Sequence, residues 1–166
     1  YDPYKFNSFP VNATRQVNRA TREFQRALVR ASESGRIAQM PSVVTWQSVV
    51  DSTVGATGVV DTLYARLQGA GHRLVLFDVN RQQALNSVQR PGARRLIERL
   101  AQGVRGYALD VVTNTHAQTG QVSVHHFLPD GTETVRETTL VWPPNLVSLG
   151  HVALPLPPDD AVCLSV

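Results

Sequence analysis

Apolar positions recur in two rhythms along this chain, and the rhythm changes near residue 106. Before that point, helical spacing alternates with short continuous apolar runs. After it, the period falls to two. The first helical stretch spans 13–34, with Asn12 or Thr14 as the N-cap and Gly35 as the stop. At about 100° per residue, Val17, Ala20, Phe24, Ala27, Leu28 and Ala31 share one face, predicted to be a core face. Arg15, Arg19, Arg22, Arg26 and Arg30 fall opposite, predicted to be a solvated face.

The next elements are a strand over 42–50, a helix over about 57–68 carrying Val60, Leu63 and Leu67 on one side, and a strand over 73–79. The strand Arg73-Leu-Val-Leu-Phe-Asp-Val79 is apolar on both faces, as an interior parallel strand should be. Together they predict one βαβ unit with parallel strands. A helix then starts at Pro91 with Ala93, Leu96, Ile97 and Leu100 buried, and Gly103 ends it. Tyr107–Thr113, Val122–Leu128 and Thr134–Val141 read as three short strands forming an antiparallel extension or excursion from the parallel sheet. Their turns are Gln118-Thr-Gly120 and Pro129-Asp-Gly131. The expected class is therefore α/β, in a single domain over 1–166.

Composition changes this picture little. A chain of 166 residues can bury a real core. Its net charge of +3 does not by itself imply nucleic acid. The five arginines on the first helix could instead touch an anionic membrane surface, but no aromatic residue interleaves with them as nucleic-acid binding would favour. The single cysteine, Cys163, excludes an intrachain disulfide and a cysteine metal cluster, and leans the expected location towards the cytoplasm. No apolar run approaches transmembrane length. The chain begins at Tyr1 without an initiator Met or a signal-peptide core, so we expect a processed or truncated piece.

In open parallel sheets, ligands bind beyond the carboxyl ends of the strands. Asp51 stands just past such an end, and Asp78 stands near the end of the next strand. His151 follows a glycine in a small apolar stretch and is the candidate partner of one of these acids. Asp51 is favoured because a loop can aim it, and Asp78 stays open as the alternative. The other histidines carry less. His72 precedes its strand, His116 is near a turn, and His125 and His126 are adjacent in a strand and so point to opposite faces. We expect no metal and no cofactor. An acid and a base are present, but no Gly-x-Ser-x-Gly turn, and Ser48, Ser52 and Ser148 read as ordinary polar residues.

The run Pro41–Val54, with Val49-Val-Asp-Ser-Thr-Val54, and the pair Gly150-His151 resemble the late part of the alpha/beta-hydrolase fold, in its bacterial serine aminopeptidase-like and lysophospholipase-like esterase members. Tyr1–Asn12, Leu76–Arg81 and Ser148–Asp160 extend that resemblance along essentially the whole chain. About seventy residues separate strand 73–79 from His151, a displacement from the family's usual spacing. The resemblance implies a partial alpha/beta-hydrolase fold, its C-terminal half. Asp51 and His151 would be the acid and base of a Ser-His-Asp triad whose serine and oxyanion hole lie upstream. It also implies an ester or lysolipid substrate, and a partner that is either the upstream half or a second copy covering an exposed sheet edge. A non-catalytic binding or assembly module on the same framework is the alternative.

Overall fold

Three strands separated by helical stretches build the parallel half of the sheet, and two further strands extend it. The computed structural model describes residues 11–51, 54–69, 71–80, 91–143, 146–148 and 153–155. Within these the chain divides between Gln39 and Met40 into two compact units.

The first unit holds α1 (Val11–Glu33) and a 3-10 turn (Arg36–Gln39). Helix α1 starts earlier than its capping signals, so Asn12 and Thr14 lie inside it. Gly35, at φ 71°, ends it in the left-handed region that glycine tolerates best. Its apolar face is only partly a core face. Leu28 and Ile37 are buried, whereas Val17 and Phe24 are 60% and 53% exposed. Among the described residues of this unit, the short turn is the one other element, and its four residues are too few to cover the whole face. The arginines are solvated as expected, with Arg26 paired to Glu23 at 2.7 Å.

The second unit is a five-stranded sheet in chain order: β1 (Val44–Ser48), β2 (Arg73–Phe77), β3 (Ala108–Asn114), β4 (Gln121–Phe127) and β5 (Glu133–Val141). β1 and β2 pair in parallel, as the βαβ reading required. β3 is also parallel to β2, which corrects the reading of all three late strands as antiparallel. The reason is α3 (Pro91–Ala101), which serves as a second crossover helix. Only β4 and β5 are antiparallel additions, joined by tight turns. Gly131, at φ 90°, completes one such turn, and Thr132 N donates to Asp130 Oδ1 at 2.8 Å. These hydrogen bonds from Thr132 hold the Asp130 carboxyl below its ordinary value.

The helix predicted over 57–68 is α2 (Ala56–Val59), which widens into a π-turn over Val60–Tyr64. Gly69, at φ 119°, follows it. The extra residue per turn accompanies a buried Tyr64, whose hydroxyl donates to Arg73 O at 2.6 Å. The Tyr64 ring is tilted by 59° against that of Tyr107, with ring centroids 4.6 Å apart.

Residues paired across strands share a face. Thr45, Leu74, Leu109 and Phe127 share one rung, and the burial of Leu74, Leu109 and Phe127 marks this as the core face. Leu74, Leu76, Leu109 and Val111 of this face are buried, as are Val60, Leu67, Leu96 and Leu100 from the crossover segments. The other face carries Trp46, 67% exposed, in line with Val75, Asp110 and His126.

Gly106 precedes β3 where the backbone of Leu67 crosses closely. A Cβ at this glycine would stand 2.3 Å from Leu67 O. Gly106→Ala is expected to lower the unfolding free energy by about 1–3 kcal/mol through overpacking. Urea denaturation checks this, and an unchanged midpoint would show that the crossing can relax.

A short antiparallel pair, β6 (Leu146–Ser148) with β7 (Ala153–Pro155), closes the described chain. The sequence showed no strand there.

Candidate functional site

The carboxyl ends of β1 and β2 carry the two acids. β1 alternates so that Gln47 points into the helix-covered face and is buried. A buried amide needs partners, and the turn after the strand supplies them. Gln47 Nε2 donates to Asp51 Oδ2 at 3.0 Å and to Val54 O at 2.8 Å. Val54 N donates to Asp51 Oδ1 at 3.0 Å, and Asp51 N donates to Ser48 O at 3.2 Å. An N–H thus reaches each oxygen of the Asp51 carboxylate, and Asp51 itself is half-buried. Ser52 and Thr53 lie outside the described residues, as does His151, the partner expected from the sequence.

Asp78 is placed differently. Its backbone N–H continues the ladder by donating to Val112 O at 2.9 Å. Its side chain is 6% exposed and accepts a long hydrogen bond, 3.5 Å, from Thr113 Oγ1. Asn80 follows in the left-handed region at φ 51° and accepts from Asn114 Nδ2 at 3.3 Å. Asn114 Nδ2 also donates to Thr119 O at 2.6 Å. Asp78, Thr113, Arg94, Glu98 and His116 line an open cavity of about 330 Å³ at the carboxyl ends of β2 and β3. Read from the sequence only as a turn residue, His116 therefore shares a cavity with Asp78. Its signal was its position just past a strand end.

The remaining histidines are accounted for locally. His72 Nδ1 accepts from Val43 N at 3.1 Å at the amino end of the sheet. His125 and His126 do face opposite ways: His125 meets Glu133 at 2.8 Å, and His126 Nδ1 meets Asp110. Asp110 also binds Arg73 Nη1 at 2.8 Å, so one carboxylate holds a histidine and an arginine across three strands. Sequence reasoning missed this acid–histidine pair because it depends on the β3–β4 register. Among the described residues, no group of three histidine, cysteine or acidic side chains is placed to hold a metal.

Fold and site together define an α/β protein with a mixed sheet, two acids at its parallel carboxyl edge, and no described helix long and apolar enough to cross a membrane. No family model, curated protein or solved structure compared with the chain matches it.

Proposed function

We propose that this chain supplies the acid and base, Asp51 and His151, of a Ser-His-Asp hydrolase of carboxylic esters, with acyl glycerols or lysolipids as the substrate class. The reading rests on the resemblance of Val49–Val54 and Gly150-His151 to alpha/beta-hydrolases, and one observation carries it furthest. Asp51 stands just beyond a parallel strand with both carboxylate oxygens oriented, one by Gln47 and one by the Val54 amide. An acid that must hold an imidazole in one tautomer needs such fixing.

Asp51 accepts a hydrogen bond from one ring nitrogen of His151. The other nitrogen takes the proton of a serine hydroxyl, contributed from outside this sequence, as that oxygen bonds to the ester carbonyl carbon. The imidazolium passes the proton to the leaving alcohol as the C–O bond breaks. His151 then deprotonates a water that attacks the acyl-serine, and it returns the proton to serine as the carboxylic acid leaves. Asp78, buried against Thr113, is structural in this reading.

Fluorophosphonate labelling of the native protein, followed by denaturing intact-mass measurement, tests the assignment. The expected product is one phosphonylated serine in a Gly-x-Ser-x-Gly turn, on polypeptide that accompanies or precedes this sequence. Native protein that takes up no probe while remaining folded would overturn it.

A further inference from the structure

At the amino end of β3, opposite the acids, the π-turn and α3 leave a cavity of about 620 Å³. Val60, Leu67 and Leu100 give it an apolar wall, and Arg99 and Arg105 stand among its lining residues. The two arginines differ. Arg99 Nη2 is engaged by Asp61 Oδ1 at 2.9 Å, and both side chains are about half exposed. Arg105 faces no acid among the described residues. Its backbone N–H donates to Pro129 O at 3.0 Å, its Nη2 donates to Leu100 O, and its guanidinium lies 5.5 Å over the Phe127 ring. Its Nη1 is out of solvent and has no hydrogen-bond partner among the described residues. Burial pushes its ionisation down from the ordinary arginine value, with Tyr107 acting in the opposite sense.

A cation left with an unmade charge-assisted hydrogen bond is costly. A carboxylate is the group that matches a guanidinium best. Arg105 is only partly buried overall, and it stands among the residues lining the cavity. The volume falls in the range of small-molecule sites, and the wall offers an apolar body somewhere to lie. We propose that this cavity binds a small amphiphilic carboxylate, its head on Arg105 and its apolar part against Val60, Leu67 and Leu100. This site is independent of the hydrolase reading, because it shares no residue with Asp51 or His151.

Calorimetric titration of the native protein with octanoate, octanol and acetate tests it. Octanoate should bind at least about tenfold more tightly than octanol, which lacks the charge, and than acetate, which lacks the tail. Arg105→Gln should weaken octanoate by about tenfold or more, while Arg99→Gln should leave it within about threefold, since Asp61 already occupies Arg99. Equal binding of octanoate and octanol, equal binding of octanoate and acetate, or no octanoate binding below about 10 mM would overturn the proposal. So would an Arg99→Gln loss larger than that of Arg105→Gln. If Arg105→Gln does not fold, the three-ligand ratio on the native protein decides alone.

Discussion

Asp51→Asn in the native protein is expected to lower ester turnover by about 10⁴-fold while leaving the fold in place. The amide keeps the shape of the side chain. Its oxygen can still accept from either Gln47 Nε2 or Val54 N, the two donors that hold Asp51 now. On the proposed assignment, what it loses is the charge that would stabilise the imidazolium and the acceptor that would select the histidine tautomer. Gln47→Leu should act in the same direction but more weakly, because it frees the loop without removing the acid. Asp78→Asn supplies the contrast. Asp78 is buried beside Thr113, so its replacement should be read in stability and leave turnover per folded molecule within about threefold. Steady-state kinetics with far-ultraviolet circular dichroism on each variant distinguishes the two acids. If Asp78→Asn abolishes turnover and Asp51→Asn does not, the acid is Asp78.

The largest expected loss of stability is at Leu76. It lies on the interior strand β2, between Gln47 of β1 and Val111 of β3, and has 0% of its surface exposed. Leu76→Ala removes apolar atoms that the two crossover helices cannot follow inward. It should cost about 2–5 kcal/mol, from lost transfer energy and residual cavity together. Leu140→Ala on the edge strand β5, where Leu140 is 65% exposed, should cost under about 0.5 kcal/mol. Urea midpoints of the two variants check the pair. Similar losses at both positions would mean that the sheet is not covered on the face assigned here.

The βαβ core was legible because continuous apolar runs and helical spacing follow one another without ambiguity, from Val43 to Phe77. The position of Asp51 followed directly, since an acid after a buried parallel strand has few other places to go. Gln47 was not legible. A glutamine inside an apolar run gives no sign that its amide will reach both the acid and the backbone four to seven residues on. The parallel pairing of β3 escaped for a different reason. Its own sequence alternates like an antiparallel strand, and only the preceding helix fixes its direction. The Asp110–His126 pair needed register, which no single strand encodes. On α1, spacing correctly placed Val17 and Phe24 on one apolar face, but periodicity cannot say whether anything covers that face.

The central claim is that Asp51 and His151 act as one unit, and a double-mutant cycle tests it most directly. Turnover would be measured for Asp51→Asn, His151→Ala and the double variant of the native protein. Residues of one catalytic unit are strongly non-additive, so the double variant should be no slower than the worse single variant by more than about threefold. Losses that multiply, or a normal rate in either single variant, would contradict the account.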